Sequence, residues 1–135
     1  MSKNPPDKML TEVELGLMSI LWKLGEGSVN DVIAGLPKDR DLAYTSVSTI
    51  LRILEQKKIV KTRKEGRGHV YIPVIEKVKY EAQSVRHMMD KVFDGAPVAM
   101  VGALVKQLLD SKDINDTELS EIQALLSQAS KRNRL

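Results

Sequence analysis

The sequence predicts a mostly α protein with one small β-hairpin, and three observations lead there. Apolar residues recur at helical spacing in six stretches separated by Gly, Pro or helix-capping pairs. Between the third and fourth stretches lie two β-type runs, Ile59–Lys64 and His69–Val74, around the glycine-bounded turn Glu65-Gly66-Arg67-Gly68. Six cations (Lys57, Lys58, Lys61, Arg63, Lys64, Arg67) collect at this hairpin against one anion, Glu65. A helix with an uncharged polar face that runs straight into a cationic hairpin is the sequence form of a winged helix-turn-helix.

The elements follow in order. Pro5 and Pro6 block early helix formation, so residues 1–9 read as a disordered lead-in. Helix one opens with a capping box, Thr11 with Glu14, and a Leu10–Leu15 staple. Val13, Leu17, Ile20, Leu21 and Leu24 follow as its apolar face, and Gly25 and Gly27 end it. Ser28 and Asp31 cap a short second helix running to about Leu36, before Pro37. In helix three, Val47, Ile50, Leu51 and Leu54 share one arc, opposite Thr45, Thr49, Arg52 and Gln56 with Ser48 to the side. Residues 10–75 are therefore expected to close one domain, three helices beneath the hairpin.

From Glu76 helical periodicity returns. Val78, Ala82, Val85, Met89 and Val92 form a near-heptad stripe, and Asp94-Gly95-Ala96-Pro97 breaks it. An apolar fifth helix follows. Asn115 and Glu118 cap a sixth that turns Leu119, Ile122, Leu125, Leu126 and Ala129 inward. This surface is costly to leave wet, and a second copy of the chain is its simplest cover, since a twofold axis lets one patch cover itself. Residues 76–130 are thus expected to form a helical dimerisation domain, with Val78, Ala82, Val85, Met89, Val92, Leu104, Leu108, Leu119, Ile122 and Leu126 at the interface. Residues 131–135 are expected to fray.

Composition narrows the function. The chain has 135 residues, 42% hydrophobic and 29% charged, with no cysteine and no apolar run long enough to span a bilayer. Lacking cysteines and an N-terminal apolar signal region, it is expected to be cytoplasmic. The net charge of +3 is local: residues 76–135 are neutral and residues 1–56 net negative, so the 57–67 block supplies the surplus. A cationic patch on a nearly neutral chain points to phosphate contact.

Ser and Thr are poor helix formers for a solvated face, yet their hydroxyls reach phosphates and base edges, and an Arg can bond guanine bidentately. Lysines on the hairpin would also suit an edge strand guarded against aggregation. Arg67, held at the tip between Gly66 and Gly68, is less well explained that way. His69 reads as a surface or phosphate-contacting residue, and His87-Met88-Met89 as part of an apolar stripe rather than a metal site, because no Cys or second nearby His supports it. Trp22 reads as core. No paired acid and base, glycine-rich phosphate loop or nucleophile motif is present, so neither an enzyme nor a cofactor is expected.

The stretches LTEVELGLMSILWKLGEGSVNDVIAGL and LAYTSVSTILRILEQKKIV, with the hairpin ending HVYIPVI, resemble the penicillinase-repressor (BlaI/MecI/CopY) family of bacterial transcription regulators. The resemblance covers about residues 10–126. It implies a winged helix that binds operator DNA, a helical region that dimerises, and palindromic sites at which transcription is blocked. It places the recognition helix at Tyr44, Thr45, Ser46, Ser48, Thr49 and Arg52, and the wing from Lys61 to His69. Three departures stand out. Lys57-Lys58 replaces the family's usual Lys-Gly, so the recognition helix needs a different exit. Members released by a sensor protease carry an Asn-Phe bond where this chain reads Val101-Gly102-Ala103-Leu104, and the copper-responsive branch uses cysteines absent here. The resemblance carries fold and DNA binding but no inducer, and leaves a sensor-protease partner open.

The sequence therefore predicts a homodimeric DNA-binding regulator, most simply a repressor. Ser46, Ser48, Thr49 and Arg52 are expected at base edges. Tyr44, Thr45, Lys61, Arg63, Lys64, Arg67 and His69 are expected at phosphates. Its alternatives are a winged-helix protein-interaction module meeting an acidic partner, or an activator with the same DNA-binding mode.

Overall fold

The computed structural model describes residues 9–133. In chain order these form α1 (Glu12–Leu24), α2 (Val29–Ala34), α3 (Tyr44–Gln56), β1 (Val60–Glu65), β2 (Gly68–Pro73), α4 (Lys77–Lys91), α5 (Pro97–Ser111) and α6 (Asp116–Asn133). The lead-in expected before Met9, and the final two residues of the expected frayed tail, lie outside the described residues. Lys131 and Arg132 belong to the last turn of α6 rather than to a frayed end, where cations favour the negative pole of the helix. The chain divides into two compact units between Arg86 and His87, within α4, so the first turns of α4 stay with the hairpin unit expected to end at 75.

In the first unit, α1 starts with the full capping box: the Thr11 hydroxyl accepts the Glu14 N–H at 3.1 Å, and Glu14 Oε1 accepts the Thr11 N–H at 2.8 Å. Its buried row is Glu14, Leu17, Met18 and Leu21. Leu24, expected inward, is 51% exposed, while Met18 is wholly buried. α1 carries two overlapping apolar rows, and the wheel alone does not say which one packs. The Ser28–Asp31 box starts α2 as expected, and α2 ends at Ala34. Val47, Leu51 and Leu54 of α3 are fully buried and Ile50 partly so.

The exit from α3 is a Schellman motif: the Ile59 N–H donates to the Leu54 carbonyl and the Lys58 N–H to that of Glu55. The different exit expected from Lys57-Lys58 is not found: Lys58 takes the left-handed conformation, φ 65°, that glycine would adopt without strain, and so keeps the glycine-type cap. Buried Leu54 and Ile59 supply the apolar contact that accompanies this motif. β1 and β2 pair antiparallel from Val60↔Pro73 to Glu65↔Gly68. The turn is thus two residues, Gly66-Arg67, and positive φ only at Gly66 (61°) marks it as type II′.

Tyr71 and Ile75 join the core from the hairpin side, and Tyr80 from α4. The Tyr80 hydroxyl accepts the Leu10 N–H at 3.1 Å, and its ring lies 5.7 Å from that of Trp22. Trp22, expected in the core, is half-buried at its edge and donates its indole N–H to the Ile75 carbonyl.

The second unit has a different character. Asp94 and Gly95, both at positive φ, break the chain between α4 and α5, and Pro97 opens α5. Asn115 and Glu118 cap α6 reciprocally, at 2.8 and 3.0 Å. Met100 is the one buried residue described in this unit. No helix among the described residues is long and apolar enough to cross a membrane.

Candidate nucleic-acid interface

The exposed part of α3 splits into two rows. Tyr44, Ser48, Arg52 and Glu55 follow at helical spacing and line a cleft of about 430 Å³ between α3, the start of α2 and the hairpin. Thr45, Ser46 and Thr49 are exposed on the helix beside this row. The far wall of the cleft is Thr62, Arg67, Gly68, His69 and Tyr71. Five of the residues expected from sequence, Tyr44, Ser48, Arg52, Arg67 and His69, therefore meet around one opening, with Arg52 on one wall and Arg67 and His69 on the other, while Thr45, Ser46, Thr49, Lys61, Arg63 and Lys64 do not line it.

Strand alternation sorts the wing. Thr62 faces Tyr71 in register and Lys64 faces His69, so all four stand on the cleft side. Lys61 and Arg63, in register with Ile72 and Val70, stand on the opposite side. The hairpin is tied to α3 by the Thr62 hydroxyl, which donates to Glu55 Oε2 at 2.9 Å. Burial, with Glu55 nearby, holds the Tyr71 phenol above its ordinary range, so it stays a neutral group in the cleft wall.

Two of the six cations are bound within the chain. Lys57 Nζ lies 2.8 Å from Glu14 Oε2, whose side chain is 7% exposed. Burial raises the Glu14 pKa, but the Lys57 ammonium and the Thr11 N–H outweigh it and hold the carboxyl below its ordinary value. Arg63, expected at phosphate, instead bonds Glu26 through both terminal nitrogens, at 3.2 and 2.7 Å, and Glu65 at 2.9 Å. These bonds hold the Glu26 carboxyl below its usual range. Lys58, Lys61, Lys64 and Arg67 make no ion pair among the described residues.

Sequence reasoning missed Ser28, Asn30, Glu55, Thr62 and Tyr71 as cleft residues. Period-two alternation from Val60 could have placed Thr62, and helical spacing from Arg52 could have placed Glu55. The positions of Ser28 and Asn30 depend on how α2 packs against α3, which no local pattern encodes. Most of the expected interface residues of the later helices are open in the single chain (Val78 is 76% exposed, Val92 65%, Leu104 52% and Leu126 58%), while Met89, Leu108 and Ile122 are half-buried. Among the described residues, no group of His, Asp and Glu could hold a metal ion.

The penicillinase-repressor family model matches residues 10–128. The penicillinase repressor of Bacillus licheniformis is 24% identical over 125 residues, covering 93% of this chain and 94% of that protein. The methicillin resistance regulatory protein MecI of Mammaliicoccus sciuri is 20% identical over 119 residues, covering 88% and 94%. The solution structure of the DNA-binding domain of the repressor BlaI is 32% identical, covers 59% of this chain and 94% of that one, and superposes with a TM-score of 0.49.

Proposed function

The chain belongs to the penicillinase-repressor family, and from that premise we propose that it is a sequence-specific DNA-binding repressor, not an enzyme, acting as a homodimer on a palindromic operator. The observation that carries the DNA-binding reading is the shared cleft, where the hydroxyl and guanidinium row of α3 faces Arg67 and His69 of the wing. Ser46, Ser48, Thr49 and Arg52 read base edges in the major groove. Tyr44, Thr45, Lys64, Arg67 and His69 hold phosphates, with Asn30 added at the cleft rim.

The homodimer reading is supported by the second unit, where Val98, Val101, Leu104, Val105 and Leu109 of α5 and Leu119, Leu125 and Leu126 of α6 are all exposed. A surface of that kind is characteristic of a chain that pairs. The winged helix is then the DNA-binding domain and the later helices the dimerisation domain.

The test compares two substitutions on an operator selected from random duplexes by the wild-type chain. Arg52→Ala should lower discrimination at one base pair by about 1–3 kcal/mol, leaving affinity for random DNA nearly unchanged. Lys64→Ala should weaken selected and random DNA alike and reduce the salt slope by about one phosphate's share. Equal effects of both substitutions on both DNAs would refute this division of roles.

A further inference from the structure

The back of the hairpin holds an arrangement that phosphate contact does not explain. Gly27 exchanges both backbone bonds with Tyr71, at 3.0 and 2.8 Å, adding one rung beyond β2. An antiparallel residue sends its N–H and C=O to the same side, so the order across the sheet is Gly27, β2, β1. Glu26, next to Gly27, therefore lies beyond the edge of β2 that is remote from β1. Arg63 is on β1, in register with Val70. Its guanidinium nevertheless reaches Glu26, so its side chain spans β2 on the face away from the cleft. Two parallel N–H···O bonds fix its plane as well as its position.

We propose that Arg63 is a positioning residue of the wing: strapped to Glu26 across β2, it sets the tilt at which Lys64, Arg67 and His69 meet the DNA backbone, and it neutralises no phosphate itself. The inference rests on the DNA-binding reading above. Both partners are about half exposed, at 47% and 46%, so the strap adds little to global stability. Its effect appears in the aim of the hairpin tip, since the base of the hairpin is tied to the body by buried Val60 and Tyr71, the Gly27 rung and the Thr62–Glu55 bond.

Binding of the full chain to random duplex DNA across a salt series tests this. Salt-dependent binding by the wild type establishes the reading on which the proposal rests, and its absence would overturn both. Arg63→Gln should weaken binding about three- to fivefold at every salt concentration with the slope kept, whereas Lys64→Gln lowers the slope by about 0.9. Glu26→Gln is the sharper case. It adds net positive charge, so a purely electrostatic role predicts tighter binding, while loss of the strap predicts weaker binding, again by about three- to fivefold. It also leaves β1 untouched should Arg63→Gln fold poorly. The swap of Arg63→Glu with Glu26→Arg should restore binding to within about twofold. A slope loss in Arg63→Gln matching that of Lys64→Gln would overturn the proposal, as would tighter or unchanged binding by Glu26→Gln.

Discussion

The two units of this chain are built from the same kinds of residue and use them in opposite ways. The first buries Leu17, Met18, Leu21, Val32, Val47, Leu51, Leu54, Ile59 and Val60 almost completely and keeps its exposed groove polar and cationic. The second buries only Met100 among its described residues and leaves Val98, Leu104, Leu109 and Leu125 more than half exposed. Apolar content alone does not separate them; what differs is how much of it each unit buries among its described residues. A unit with its own core can fold and bind as a monomer, whereas one without a core has its stability tied to protomer concentration. The single Trp22 lies in the first unit, so its fluorescence follows that unit, while far-ultraviolet dichroism follows all the helices.

The largest expected effect would break the comparison if it failed. Leu104→Glu combined with Leu126→Glu should convert the chain to a monomer in sedimentation velocity. Affinity for a palindromic operator should fall about 100- to 10,000-fold, because two half-sites are no longer engaged by one linked particle. Binding to a single half-site and the Trp22 transition should stay where they were. A variant that still sediments as a dimer would show that these exposed leucines are not the interface.

Next comes the contrast between a buried and an exposed leucine. Leu51→Ala, at a fully buried site of α3, should cost the first unit about 2–5 kcal/mol in urea unfolding followed by Trp22. Leu125→Ala, at a site 65% exposed in the single chain, should shift that transition by less than about 0.5 kcal/mol. It should instead make helix loss by dichroism more dependent on protein concentration. A large Trp22 shift from Leu125→Ala would mean that the units unfold as one.

These contrasts also mark what the sequence made legible. All three capping pairs, Thr11–Glu14, Ser28–Asp31 and Asn115–Glu118, were readable because both partners lie within one turn. The hairpin was readable from its glycines, with a turn two residues tighter than the four-residue string suggested. The inward row of α1 was not: Met18 and Leu24 both fit a helical wheel, and only the packing of α1 against its neighbours chooses Met18. The cationic block looked uniform because Lys57 and Arg63 find their anions 43 and 37 residues away. No periodicity connects such distant positions. Alternation along β1, by contrast, was available and would already have put Arg63 on the opposite face from Lys64.

The Glu14–Lys57 pair sharpens the comparison through pH. Glu14 both caps α1 and holds Lys57, the C-cap residue of α3. Its folded-state pKa lies below the ordinary 4.5, so the unfolded chain binds the proton more readily. Its contribution is therefore fully present above that ordinary value and is lost as pH falls through the lower, folded value. Glu14→Gln should destabilise the Trp22 transition by about 1–3 kcal/mol at neutral pH. The loss should shrink progressively below about pH 4.5. A penalty that persists unchanged to pH 3 would assign the effect to packing rather than to charge.

The smallest effect separates the units most directly, because each contains one lysine in the left-handed conformation. Lys58 (φ 65°) closes the Schellman exit of α3, and Lys112 (φ 58°) caps α5. A residue with a Cβ carries a strain of about 1–2 kcal/mol there, partly offset in a glycine variant by the greater freedom of its unfolded chain. Lys58→Gly should therefore stabilise the Trp22 transition by about 0.5–1 kcal/mol and leave the concentration-dependent transition alone. Lys112→Gly should do the reverse, by a similar amount. If either substitution moved both transitions together, the two units would be a single cooperative body, and the exposed leucines of α5 and α6 would need an explanation other than a missing partner.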